Sequence, residues 1–266
     1  MRNVQPLKFL EPQAGRGTAR VVLTSYGGGL VQGDRIALQI HAEADTRLHL
    51  ATQANSRVYR NAGKAPARQE LTARLDAGAR VLVQNDPLVL HANSRFEQHQ
   101  HWDLDPTANL ILLDWLQGGR SDSGEVWAFD NYRSRLRITC DDHPWLLESL
   151  DITPAERNPC AAARFGHRAN GFLAIYFVGH ESQRLARLLD PIAAPQEVHR
   201  LATLGKYPRR SVPRIHHSLT HCDDRPLSVF RCLAQTRHDY DPAIHALFDI
   251  LLQEGWLETN PLLETR

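Results

Sequence analysis

The chain is poor in the residues that build covalent frameworks. Its 266 residues hold four cysteines, Cys140, Cys160, Cys222 and Cys232. That is too sparse for a disulfide scaffold, so reduced thiols in a cytoplasmic setting are expected. No apolar run reaches the roughly 18 residues of a spanning helix. The opening Met1-Arg2-Asn3-Val4-Gln5-Pro6 also lacks the apolar stretch of an export signal. A net charge of +1 gives no general pull toward nucleic acid or anionic membrane. Catalytic signatures are missing as well: there is no G-x-S-x-G elbow, no H-E-x-x-H and no C-x-x-C. One methionine stands against fourteen histidines. The histidine excess leans toward metal or proton handling, although an arginine-rich, lysine-poor composition of GC-biased origin raises histidine passively.

What is present begins with glycine. Ser25-Tyr26-Gly27-Gly28-Gly29-Leu30-Val31-Gln32-Gly33-Asp34 places four glycines ahead of an aspartate. Such a corner permits positive φ and close backbone approach, and it fixes where Asp34 points. A phosphate cradle is excluded. Gly28 and Gly33 have the spacing of a Walker loop, but Asp34 and Arg35 follow where Lys and Ser or Thr are needed. The dinucleotide fingerprint fails because Gln32 occupies the place of its third glycine.

The first 155 residues read as strands: Ala19–Thr24, Arg35–His41, Arg47–Thr52, Glu70–Leu75, Arg80–Val83, Arg95–Leu104, Asn109–Trp115, Glu125–Asp130, Ser134–Cys140 and Trp145–Leu150. Turn chemistry separates them, as at Asp76-Ala77-Gly78 and Asp105-Pro106-Thr107. An irregular repeat joins Ala44–Leu50, Ala77–Val83 and Pro106–Leu112, with Thr46, Ala79 and Ala108 offset by 33 and 29 residues. A unit of this length cannot bury its own face, which points to stacked strand turns in a β-solenoid or an elaborate sandwich; a plain antiparallel meander gives a similar pattern. Two helices are predicted late in the chain. Glu181–Leu189 ends at Pro191. The second starts at Asp241-Pro242, lines Ile244, Leu247, Phe248, Leu251 and Leu252 on one face, and closes at Gly255. Pro195–Pro226 between them reads as loop, with a small basic patch at Lys206–Arg210.

Two constellations could carry metal chemistry. His217, His221 and Cys222 form a weak cluster. The two histidines share a face if the segment is helical, and imidazole with thiolate suits Zn²⁺ or Ni²⁺. A solvated histidine-rich loop explains them as well. His99 and His101 share a strand face, and isolated surface histidines account for that pair. The second constellation is acidic: Asp34 after Gly33, Asp86 before Pro87, and Glu125 after Gly124. Hard oxygen ligands in small number hold a divalent ion loosely. Asp34 and Glu125 can equally accept backbone N–H bonds within their turns.

Ordered blocks then bring in a resemblance. Ser25–Asp34, with Gly28, Gly29 and Gly33, is followed by Thr52-Gln53-Ala54-Asn55-Ser56-Arg57-Val58-Tyr59. Next come Asn85-Asp86-Pro87 with Ser94-Arg95-Phe96, and Leu112–Arg135 with Arg120, Gly124 and Glu125. Together they resemble the urease accessory protein UreD (UreH) family across roughly residues 6–150, with the last third matching in outline. Ser56 and Arg57 stand where that family usually has Thr and Lys. The N-terminus starts close to the first strand, which puts an edge strand of longer relatives in question. The His217–Cys222 cluster is not part of the pattern.

The resemblance implies a mainly β, solenoid-like stack with two α-helices in the C-terminal part. It implies one UreD-like domain over 1–266, strand-rich over 1–180 and mixed over 181–266. It also implies a non-enzymatic chaperone that joins UreF, and through it the GTPase UreG, to deliver Ni²⁺ into apo-urease. On this reading the chain holds no tight cofactor, Ni²⁺ passes transiently, GTP belongs to UreG, and dimeric assembly comes through UreF. Asp34, Glu125 and Asp86 are the expected lining of a wet internal passage. Low solubility alone is expected, with Ile244–Trp256 either a docking face or core. The alternative is a metal-dependent hydrolase built on residues 216–222.

Overall fold

A computed structural model of the chain describes residues 7–12, 17–60, 63, 65–120, 123–156, 169–190 and 216–261. The basic patch Lys206–Arg210, Pro191 and Cys160 lie outside the described residues. In chain order the strands are β1 (Leu7–Leu10), β2 (Ala19–Ser25), β3 (Arg35–Ala42), β4 (Arg47–Thr52), β5 (Ser56–Val58), β6 (Ala67–Leu75), β7 (Arg80–Gln84) and β8 (Leu88–Leu90). Then follow β9 (Arg95–Leu104), β10 (Asn109–Gln117), β11 (Asn131–Cys140), β12 (His143–Ile152), β13 (Gly171–Val178), β14 (His216–His221) and β15 (Leu227–Ala234). Helix α1 (His180–Arg187) sits between β13 and β14, and α2 (Asp241–Gln253) follows β15.

The strands form two facing sheets. The larger has ten strands, in the order β1-β2-β4-β7-β10-β13-β15-β14 with β5 and β8 alongside. The smaller has five, in the order β12-β11-β9-β6-β3. The chain winds between them: β3 to β4, β6 to β7 and β9 to β10 each cross from small sheet to large. Each sheet is therefore parallel through this region. Arg47 pairs with Arg80 and Arg80 with Asn109, the offsets of 33 and 29 residues seen in the repeat. The turns stack by backbone hydrogen bonds, Asp76 N–H to Ala42 C=O at 2.9 Å and Asp105 N–H to Leu75 C=O at 2.8 Å. Beyond β11 the connections become antiparallel.

Burial gives three layers. The small sheet alternates buried and exposed residues, as in β3 and β11, and so has one solvated face. The large sheet is buried on both faces at its centre, where β10 and β13 read as nearly continuous apolar runs. Its outer face packs Leu113, Ile175, Phe177 and Phe230 against α1 and α2. Asn109 caps α1 from across the sheet, its Oδ1 accepting the Glu181 and Ser182 N–H groups at 2.9 and 3.1 Å. Pro242 in the first turn of α2 costs no intrahelical bond. The predicted face, Ile244, Leu247, Phe248 and Leu251, is buried, so this stretch is core rather than a docking face.

Several expectations change. Glu125–Asp130 is not a strand: Trp127 takes φ 53°, which no strand allows, and its indole N–H donates to Ala169 C=O at 2.8 Å. His216–His221, expected as loop or helix, is strand β14, because it pairs with β15 along its whole length. An edge strand does precede Ala19: β1 pairs antiparallel with β2.

Candidate functional site

A cavity of about 200 Å³ lies between the two sheets. Apolar residues such as Ile36, Leu38, Leu71 and Val83 line it together with a polar set: Thr52, Asn85, Asp86, Gln69, Gln98, Gln100 and Asp114. Register explains why the polar set is contiguous. On the small sheet Gln69, Gln98 and Ser134 are consecutive partners across β6, β9 and β11. Two residues along, Gln100 aligns through Leu136 with Glu148 on β12. On the large sheet Asp114 aligns with Ala174, and Ala174 with Arg231. Asn85 reaches the Leu113 C=O at 3.1 Å beside Asp114. The polar row therefore runs across the strands, one rung per strand.

Burial sets the electrostatics of that row. Asp114 is half-buried and lines the cavity. Desolvation pushes its carboxyl up to about 6, with the Glu148 carboxylate adding to the rise and a Gln98 hydrogen bond opposing it. Asp86 is also raised, mainly by burial, against the hydroxyl of Thr52, which donates to it at 3.0 Å. Tyr176 is held neutral far above its ordinary range, first by burial and then by Asp114 and Glu148; its hydroxyl donates to Glu148. Glu148 in turn accepts from Arg231 Nη2 at 2.7 Å, and Arg231 reaches solvent.

The expected acidic residues divide. Asp86 lines the cavity; Asp34 and Glu125 do not. Asp34 closes its own corner, Oδ2 accepting the Val31 N–H at 2.8 Å. Glu125 pairs with Arg120 at 2.8 Å, which holds its carboxyl down at about 2 and ties the 118–125 loop together. Gly124 lies inside that loop. The remaining motif residues shape one end of the cavity. Gly28 and Arg57 line it, and Tyr59 donates to Gly27 C=O at 3.2 Å while packing edge-on to His91. Gly29 is required by space: an added Cβ would lie 2.6 Å from Arg57 O and 2.8 Å from the Tyr59 ring. Gly33 is required by conformation, at φ 79°. Gln53 is exposed, its N–H donating to Leu23 C=O at 3.0 Å.

The histidine cluster does not converge. His217 and His221 share a face of β14, but four residues of strand put their Cα atoms about 13 Å apart. His217 stacks on Phe230, and the Cys222 N–H pairs with Leu227 C=O. His221 instead sits between Ser228 Oγ at 2.6 Å and Asp190 Oδ1 at 3.0 Å. Those are the residue types of a hydrolytic triad, yet Ser228 is completely buried and has no access to substrate. Among the described residues no group of three metal-ligating side chains is assembled. No helix among them is long and apolar enough to cross a membrane.

Asp114, Gln98, Gln100, Glu148 and Arg231 were not singled out by sequence motifs. The signal was parity. Gln98 and Gln100 share the inward face of β9 with Phe96, Trp102 and Leu104, and Asp114 interrupts the apolar run Leu110–Leu116.

Comparison with known proteins agrees with the motif blocks. The model of the UreD urease accessory protein family matches residues 1–265. The chain is 28% identical over 260 residues to the urease accessory protein UreD of Cytophaga hutchinsonii, covering 97% of this chain and 89% of that one. It is 38% identical over 157 residues to UreD of an Anaeromyxobacter species, covering 59% of this chain and 52% of the relative. It is 34% identical over 150 residues to urease accessory protein D of Arabidopsis thaliana, covering 54% of this chain and 51% of the relative. The chain belongs to the UreD urease accessory protein family.

Proposed function

We propose that this protein is a non-catalytic scaffold of urease maturation that passes Ni²⁺ toward apo-urease in the cytoplasm. It acts joined to UreF and, through UreF, to the GTPase UreG, which alone binds GTP. The observation that carries the reading is the polar row through an otherwise apolar two-sheet interior, opening into the 200 Å³ cavity. A core this size has no structural need for Asp86, Asp114 and four side-chain amides; burying them costs free energy unless they are hydrogen-bonded, and protein partners supply only part of the bonds they can make. Water in the cavity would satisfy them, and a hydrated divalent ion would find only oxygen ligands there. Nickel prefers nitrogen and sulfur donors, so oxygen rungs hold it weakly and release it. A rigid histidine and cysteine site would retain the cargo instead. Asp34 and Glu125 contribute by fixing loops rather than by touching the ion.

The test is to close the row without removing charge. Ala174→Leu and Gln98→Phe, each co-expressed with urease and its other accessory proteins, are expected to leave the complex assembled and to lower the nickel content of urease severalfold. Full nickel loading with both variants, in complexes shown to be intact, would reject the passage. The bridging role would then stand alone.

A further inference from the structure

The polar row does not end at the cavity. Past Asp114 the next rung on the large sheet is Ala174, a small residue packed in the core between the sheets, and the rung after it is Arg231. Two strand spacings separate Asp114 from Arg231, about 10 Å. Opposite these rungs Glu148 accepts from both Tyr176 and Arg231. Arg231 is 46% exposed and Glu148 18% exposed, so the pair stands where the interior row meets the surface between β12 and β15. A second arginine closes the same seam: Arg225 Nη1 donates to the carbonyls of Pro144 and Trp145 at 3.3 and 3.0 Å. One end of the row is thus open to the cavity, and the other is shut by a guanidinium lying on the last carboxylate.

We propose that Arg231 is a cation-exchange latch for this row. It rests on the reading of the row as a nickel passage and assigns that passage a specificity-determining residue. While Arg231 occupies Glu148, the terminal carboxylate is neutralised and the exit is filled. A divalent cation arriving at Asp114 competes for Glu148 and displaces the guanidinium to solvent, where its half-exposed position already places it. A monovalent cation offers no advantage over the guanidinium and is not taken up. Tyr176 stays on Glu148 in both states and keeps the carboxylate oriented. The latch also sets affinity: each binding event must first break an existing ion pair, which keeps the resting protein from holding its cargo.

Ni²⁺ titration of the purified full-length chain by calorimetry tests this. Arg231→Met keeps the aliphatic stem and removes the charge; it is expected to tighten Ni²⁺ binding about tenfold and to admit Na⁺ as a measurable competitor. Arg231→Lys should restore near wild-type affinity, a rescue that a purely structural role would not give. Adding Glu148→Gln to Arg231→Met should abolish the gain. Circular dichroism of each variant guards against misfolding. Unchanged affinity in a folded Arg231→Met protein overturns the latch, as does a gain that survives Glu148→Gln. The two readings fail separately. If plugging variants leave urease nickel loading intact while Arg231→Met still tightens binding, the latch stands and the passage falls. If plugging blocks loading and Arg231→Met changes nothing, the reverse holds.

Discussion

The two sides of the large sheet are made from the same strands and solve opposite problems. Toward the helices, β10, β13 and β15 present Leu113, Ile175, Phe177 and Phe230, and the layer closes on Leu247, Phe248 and Leu251. Toward the small sheet, the same strands present Asp114, which lines the cavity, and Arg231, which pairs with Glu148. One side is an apolar core throughout. The other joins an apolar core of its own, with Leu71, Trp102, Leu110 and Leu112 buried, to a polar set beside the cavity. The difference is that both spaces stabilise the fold, and only the one between the sheets also carries a cavity lined by carboxylates and amides.

Four substitutions break or sharpen that contrast, taken from the largest effect down. Phe248→Ala empties the dry layer and should cost about 3–5 kcal/mol, read by chemical denaturation. Asp114→Asn should do the opposite. The folded carboxyl sits at about 6 against an ordinary value of 3.8, so the folded protein retains a proton in that window and stability falls as pH rises through it. The asparagine variant should therefore gain on the order of 3 kcal/mol at pH 8 and almost nothing at pH 4, by thermal melts at both values. Its urease activation should fall despite the gain, which is the signature of a group kept for function. Gly29→Ala forces a Cβ against the Arg57 carbonyl and should cost about 1–3 kcal/mol, lowering the melting midpoint. Glu125→Gln should have the smallest effect. Arg120 holds that carboxyl well below its ordinary value, so its contribution is present at neutral pH and fades as pH falls toward 2. A melt of the variant should differ from the parent at pH 7 and coincide with it near pH 2.

Legibility followed the same division. The parallel stack was readable because strand register in a coil equals sequence offset, so Thr46, Ala79 and Ala108 announced their pairing. Helix α2 was readable from Asp241-Pro242 and its apolar face. Strands β13 and β15 were not, because runs buried on both sides carry no alternation to mark them. The candidate site was half visible. Asp86 stood out beside a proline, and it does line the cavity. Asp34 and Glu125 stood out beside glycines for a different reason: each holds a tight loop together. The deeper rungs carried no motif, since Gln98, Gln100 and Asp114 are ordinary polar residues made unusual only by the face they occupy.

The direction of the row has one more consequence. Because its rungs within the parallel stack come from successive coils, that part of its length is counted in whole turns of the chain, each adding about 4.8 Å. Deleting one coil at its turns would shorten the row by a single step and leave the neighbouring rungs in line, so the winding acts as a ruler for the row's length.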